Sequence, residues 1–317
     1  MTRKIIYDTD PGIDDAMALL FAVQSPSLDL LGITTILGNA SLEITTRNAL
    51  YLTERFDIPA TVFRGAAEPL VVPPGSAPDF VHGSDGLGNI NPPQPSREAS
   101  SLPAAEYIAD TIMRYPGEVT LVAVGRLTNL ALALELEPRI AQHVQEVIVM
   151  GGALGIGGHR GNITPCAEAN IHGDPHAADT VMGADWPLVM VGLDVSMQVV
   201  MQDDRMQRIR DHGGDIGAFI YEISRFYENF YLESEGMQGF PVHDSSAMMY
   251  AVAPTLFESI EGPLRVVTEG IAIGQTVIAT AAQAGRSPDW QGRPNQRVCT
   301  SVDAQRLLDL YENAICL

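Results

Sequence analysis

Short runs of aliphatic and β-branched residues alternate along the chain with stretches whose apolar positions recur at helical spacing. The runs at residues 4–7, 30–36, 60–63, 119–124, 146–150, 188–193 and 297–302 predict strands. Helices are predicted over 14–24, 42–56, 104–114, 129–136, 175–182 and 203–212, and again over 216–232, 245–251 and 303–313. Several strands are nearly all apolar, as parallel strands buried on both faces are. With the βα alternation, this predicts an α/β fold: a single domain with a mostly parallel, Rossmann-like open sheet flanked by helices. Such sheets place their ligands beyond the carboxyl ends of the strands. No Gly-x-Gly-x-x-Gly follows the first strand, so the dinucleotide fingerprint is absent.

One segment breaks the alternation. Residues 69–103 hold eight of the 21 prolines, with many Ser and Gly and little periodicity. Loops of this length are functional or disordered. At its centre lies "VHGSDGLG", residues 81–88, whose glycines suit a mobile flap. No repeat and no linker divides the chain, so residues 1–317 are expected to form one domain carrying that flap.

Composition narrows the chemistry. A chain of 317 residues that is 46% hydrophobic can bury a large core. Lys and Arg number 19 against 39 Asp and Glu, and the resulting charge of −20 repels nucleic acid and anionic membrane. Lys4 is the only lysine, which removes Schiff-base chemistry and any P-loop. Cys166, Cys299 and Cys316 are odd in number and far apart, as reduced thiols are. With no signal-like start and no apolar run of membrane length, a soluble cytoplasmic protein is expected.

Against that acidic background "DTDPGIDD" packs Asp8, Asp10, Asp14 and Asp15 into eight positions at the end of the first strand. Helix capping accounts for one or two of them, because free N–H groups and the dipole favour Asp in a first turn. It does not account for Asp10 and Asp15 meeting across a tight Pro-Gly turn. A hard divalent cation does, since Ca²⁺ takes several carboxylate oxygens at about 2.3–2.6 Å. Three distant stretches add polar groups: His243–Asp244 before a helix, "GRLTNLA" after the strand ending at Val124, and "GNITPCAEAN" with Asn162, Glu168 and Asn170. Donors and acceptors together suit a polyhydroxylated ligand such as a sugar. Taken singly, each stretch also reads as a cap or a turn.

In this order and over nearly the whole chain, "DTDPGIDD", "VHGSDGLG", "GRLTNLA", "GNITPCAEAN" and "VHD" closely resemble the inosine–uridine nucleoside hydrolase family. The resemblance implies hydrolysis of the N-glycosidic bond of ribonucleosides to ribose and free base, in nucleoside salvage, with Ca²⁺ as cofactor. It also implies a homo-oligomer, dimer or tetramer. The implied metal ligands are Asp10, Asp15, Asp244 and the main-chain carbonyl of Val124. Asp10 matches the general base, Asn39 lies near the attacking water, and His243 is the candidate acid. Asp14, Asn162, Glu168 and Asn170 match ribose contacts and Met150 lines the ribose pocket. His82 on the flap, with Tyr227 and Tyr231, matches the base side, although two tyrosines four apart on a helix also read as core packing. Asp8 has no ligand role in this scheme and is expected to be structural.

Departures bear on specificity. Position 126 is Arg where many relatives carry Pro or Gly, and Ala169 replaces an aromatic that stacks on the base in several members. The "AEAN…GDP" form is closer to uridine-type members, and His243 rather than Trp speaks against the purine-specific branch. Two other readings stay open. One is a calcium-dependent nucleoside- or sugar-binding protein without turnover. The other is an aspartate-nucleophile phosphatase, suggested by "IIYDTD" but lacking an internal lysine and a second acidic motif at "GGDIGAF".

Overall fold

Ile5, Ile6 and Tyr7 are all removed from water, and alternate residues of a strand point to opposite faces, so β1 (Arg3–Thr9) has to be covered on both sides. A computed structural model, which describes residues 2–316, shows the covering. The other strands are β2 (Leu28–Thr35), β3 (Thr61–Arg64), β4 (Val119–Ala123), β5 (Glu146–Met150), β6 (Leu188–Val191), β7 (Val200–Met201), β8 (Phe240–Pro241), β9 (Phe257–Val266), β10 (Thr276–Ile278) and β11 (Asn295–Val302). Nine of them form one sheet in the order β10-β9-β11-β6-β5-β4-β1-β2-β3. From β11 to β3 every pairing is parallel, while β9 runs antiparallel to both β11 and β10. The α/β, mostly parallel architecture is therefore as the sequence predicts.

The first half of the chain supplies helices α1 (Ile13–Gln24), α2 (Leu42–Arg55), α3 (Asp79–His82), α4 (Ala104–Arg114), α5 (Thr128–Leu136) and α6 (Ile140–His143). The second half adds α7 (Ala169–Gly173), α8 (Pro175–Met182), α9 (Leu193–Ser196), α10 (Asp203–His212), α11 (Gly214–Glu235), α12 (His243–Val252), α13 (Ala281–Ala284) and α14 (Ala304–Ile315). Ile5 and Tyr7 join a core with α1, α11, α12 and α14, whereas Ile6 joins a second core with α4, α5 and α8 on the other face. Among the described residues, no helix is long and apolar enough to cross a membrane.

Two consequences position the site. The chain leaves β1 toward β2 and β3, then returns to β4 on the opposite side of β1, which opens a crevice at their carboxyl ends. Next, α1 is buried continuously from Ile13 to Ala22 because α11, α12 and α14 all pack on it. Its amino-terminal turn is thus held in that crevice by elements from the far end of the chain.

The structure departs from the predicted elements at the sheet edge and around the strand ends, where short helices such as α3, α7 and α9 were not predicted and the strand expected over 188–193 ends at Val191. The antiparallel β9 and β10 carry no clear signal, since β9 is exposed over Glu258–Glu261 and contains Pro263. The two-residue pair β7–β8 is too short for periodicity to reveal. Helix α12 starts two residues early, at His243, which puts both His243 and Asp244 in its first turn.

Tyr311 of α14 ties the last helix to α1: it is wholly buried, stacks on Phe21 at 5.6 Å and donates its hydroxyl to the Met17 carbonyl at 3.1 Å. Tyr311→Ala is expected to cost about 3–5 kcal/mol and Tyr311→Phe about 1 kcal/mol, measured by denaturant unfolding.

Candidate active site

β1 ends at Thr9, and Asp10-Pro11-Gly12 turns the chain into α1. Asp15 reaches back over that turn. Its carboxylate accepts hydrogen bonds from Thr9 Oγ1 at 2.5 Å, the Asp10 and Gly12 amides at 3.2 and 2.9 Å, and Asn39 Nδ2 at 2.8 Å. Capping is thus part of what Asp15 does. Asn39 also holds Asp10, donating its amide to Asp10 Oδ2 at 2.7 Å and its side chain to the Asp10 carbonyl at 3.3 Å. Asp10 Oδ1 and Asp14 Oδ1 are buried and have no hydrogen-bond partner among the described residues.

Glycines make room for Asp10. A Cβ on Gly38 would overlap its carboxylate, and one on Gly125 would come within 2.5 Å of Oδ1. Neither glycine was singled out in the sequence, where a Gly beside a strand end is commonplace.

Asp244, in the first turn of α12, completes the acidic group. Asp14, Asp15 and Asp244 each offer a carboxylate oxygen within 4.8 Å of the other two, and all three residues are buried. That tightest grouping contains Asp14, whereas Asp10 approaches from the strand side. The energetics are those of a site lacking counter-charge. Burial first, and then neighbouring carboxylates, hold the protons of Asp10, Asp14 and Asp244 far more tightly than usual, with Asp14 pushed up to about 8. Burial also raises Asp15, against the pull of its hydrogen bonds. Arg126 is the cation whose charge works the other way on Asp10. Asp8 is separate: its Oδ1 takes Thr34 Oγ1 at 2.5 Å and Asn129 Nδ2 at 2.8 Å, and burial pushes it up to about 7.

Beyond β4 and β5, Asn170 spends its amide on the Val124 carbonyl at 2.6 Å and the Met150 carbonyl at 3.2 Å. Glu168 caps α7 through the amides of Asn170 and Ile171 and also accepts from Gly152 at 2.9 Å. Asn162 is exposed, and its Oδ1 accepts from the Ala169 amide at 3.0 Å. These three side chains therefore shape the loops beyond the strand ends.

The remaining predicted residues form a connected aromatic wall. His82 is buried, its Nδ1 accepting from the Ile13 amide at 3.2 Å and lying 3.9 Å from Asp14 Oδ1. Tyr227 stacks on His82 at 5.5 Å and donates to Asp14 Oδ2 at 3.3 Å. Tyr231 meets Tyr227 edge-on at 5.1 Å, and its hydroxyl lies 2.9 Å from His243 Nε2. The other ring nitrogen of His243 meets Ser196 Oγ at 2.8 Å. Burial lowers both imidazoles, helped by the charge of His243 on His82 and of His159 on His243, to about 3 for His82 and about 4 for His243, so both rest neutral. Ser196 carries no motif signal and was missed. The strand predicted over residues 188–193 stops short of it, and it lies in the short helix α9, which no pattern predicts.

Comparison with known proteins bears on the family and the fold. The sequence model of the family described as "Inosine-uridine preferring nucleoside hydrolase" matches residues 5–309. Uridine nucleosidase 1 of Arabidopsis thaliana is 40% identical over 310 residues, covering 97% of this chain and 91% of that protein. Pyrimidine-specific ribonucleoside hydrolase RihB of Escherichia coli O157:H7 is 37% identical, covering 99% of this chain and 97% of its own. Among solved structures, the plant nucleoside hydrolase PpNRh1 superposes with a TM-score of 0.93 at 37% identity, covering 100% of this chain and 99% of that one.

Buried carboxylates this close destabilise the fold unless a cation joins them. With chelator present, Asp244→Asn is expected to melt higher than the unmodified protein, on the order of 1–3 kcal/mol. Adding a divalent ion should raise the melting temperature of the unmodified protein and leave the variant nearly unmoved.

Proposed function

The chain belongs to the inosine-uridine preferring nucleoside hydrolase family, and from that premise we propose that it is a calcium-dependent hydrolase of uridine-type ribonucleosides. Family membership makes it a hydrolase acting on the N-glycosyl bonds of ribonucleosides. The preference for a pyrimidine base is supported by the named activities of the relatives and by Ala169, which offers no aromatic face to stack a purine. The observation that carries the reading is the convergence of Asp14, Asp15 and Asp244 beside two buried carboxylate oxygens that lack partners.

Asp10, Asp15, Asp244 and the Val124 carbonyl would hold the ion, with Asp14 close by. This all-oxygen donor set suits Ca²⁺ rather than a softer metal. When bound, Ca²⁺ supplies positive charge that gathers the ribose diol and eases ionisation of a water. Asp10 takes the water's proton: one oxygen is fixed by the Asn39 amide and the other is free to receive it. Asn39, bonded to both Asp10 and Asp15, keeps the base and its neighbour in register.

Asp14, Asn162, Glu168 and Asn170 hold the sugar. With its amide committed to two carbonyls, Asn170 has its oxygen left to accept from a ribose hydroxyl. Met150 closes the apolar side of that pocket. As the glycosidic bond breaks, positive charge spreads over the ribosyl ring, and the surrounding carboxylates stabilise it. On the base side, His82 and Tyr227 form one wall, and His243 with Tyr231 passes a proton to the departing base. In this reading residues 1–317 act as one hydrolase domain, with 69–103 as its flap, in a homo-oligomer serving cytoplasmic nucleoside salvage.

Three measurements test it. Purified protein with Ca²⁺ should release uracil from uridine, and chelator should abolish turnover that added Ca²⁺ restores. Binding without turnover across a nucleoside panel would instead make it a binding protein. Asp10→Asn should keep the fold and lower turnover by about 10²–10⁴-fold. His243→Ala should slow uridine far more than a riboside with a p-nitrophenyl leaving group, which needs no protonation.

A further inference from the structure

We propose that Arg126 is a positioning residue for nucleoside binding: it latches the stem of the 69–103 flap and so sets where His82 stands beside the base. The inference rests on the hydrolase reading above and deepens it. The segment from Arg126 into the first turn of α5, together with Asp174, fastens the flap stem at three backbone groups four residues apart. Asn129 Oδ1 accepts from the Ala66 amide at 2.9 Å. Asp174 Oδ2 accepts from both the Leu70 amide at 2.8 Å and Thr128 Oγ1 at 2.7 Å. Arg126 Nη1 donates to the Pro74 carbonyl at 3.1 Å and the Gly173 carbonyl at 3.3 Å.

The fit around Arg126 is close. A Cβ on Gly173 would lie 2.5 Å from Nε and 2.9 Å from Cδ, so the guanidinium stem lies flat against bare backbone. Two of these fasteners also serve the crevice directly. Asn129 reaches Asp8, and Gly173 ends α7, the helix that presents Asn170.

Pro74 is the last fastened point before the flap crosses to the site. Residues 75–77 are exposed, and α3 then carries His82 back under cover. There its ring meets the Ile13 amide across Gly12, where a Cβ would come within 2.7 Å of Nδ1. His82 is held by the α1 amino terminus and Tyr227, and its flap by Asn48 on the Asp85 carbonyl beyond it and by the stem ahead of it. Releasing Pro74 lengthens the free span ahead of α3 from residues 75–77 to residues 71–77, and a longer span holds His82 in place for a smaller fraction of the time. Apparent affinity falls in proportion to that fraction. Both bonds leave one nitrogen, Nη1, and the long flat side chain of arginine lying over Gly173 carries that nitrogen to both carbonyls, a reach that the shorter lysine makes only in part.

The test is steady-state uridine hydrolysis by the full-length protein with Ca²⁺, for Arg126→Met, Arg126→Lys, His82→Ala and the Arg126→Met/His82→Ala double variant. Arg126→Met should raise KM about tenfold with kcat within threefold, and Arg126→Lys should recover part of the loss. In the His82→Ala background, Arg126→Met should add less than twofold, because the residue it positions is gone. Limited proteolysis should cut within residues 69–80 faster in Arg126→Met. A fall in kcat with KM unchanged, or a full multiplicative effect on His82→Ala, overturns the latch. An active unmodified protein matched by Arg126→Met overturns the latch alone, whereas an unmodified protein inert on every nucleoside overturns the hydrolase reading beneath it.

Discussion

Concentrating buried carboxylates at the end of β1 is the constraint around which the rest is arranged. Each carries a desolvation cost, and each raises the cost of its neighbours. The fold offsets part of it with neutral donors: the Thr9 hydroxyl, the Asn39 amide and side chain, and the unpaired N–H groups at the start of α1. Donors of this kind orient carboxylates without neutralising them. Among the described residues, one oxygen each of Asp8, Asp10 and Asp14 is left without a partner, and there the arrangement stops short of satisfying itself. A structure that had only to be stable would have replaced them with apolar groups.

Topology explains how the acids are gathered from both ends of the sequence. The crevice between β1 and β4 brings Asp10 beside Val124, and the return of the chain through α11 and α12 lays Asp244 against α1. Because α1 is buried all round, its first turn cannot move away to relieve repulsion. The cores on the two faces of the sheet thus act as a clamp on the site, and part of their stability is spent holding like charges together.

What could be read in the sequence follows from this division of labour. Apolar strands such as β1, β4, β5 and β6 were legible because burial on both faces leaves a continuous pattern. The acidic cluster was legible because four aspartates in eight positions have no ordinary structural use. Strand β9 was not, since its exposed half and its proline mimic a loop. Ser196 was invisible for another reason: it acts through one hydrogen bond to the distant His243, and no local spacing encodes that. Gly38 and Gly125 were overlooked because their part is to be small, and absence of a side chain shows only against a neighbour. Asp15 serves as both a cap and a member of the acidic group, so the two readings of the opening motif were never exclusive.

The same burial that tightens the proton on Asp10 loosens it on His82 and His243. His243 rests neutral between two hydroxyls, Tyr231 at Nε2 and Ser196 at Nδ1. A hydroxyl can give or take a proton, so either tautomer of the ring is satisfied and the ring can pass a proton on without ever being left charged. That matters next to the acidic group, where binding a divalent cation adds positive charge close to His243 and disfavours an imidazolium further. In the proposed mechanism, proton delivery to the base would belong to the Tyr231–His243–Ser196 chain as a unit, and removing the imidazole from its middle would break a relay rather than delete a stored proton.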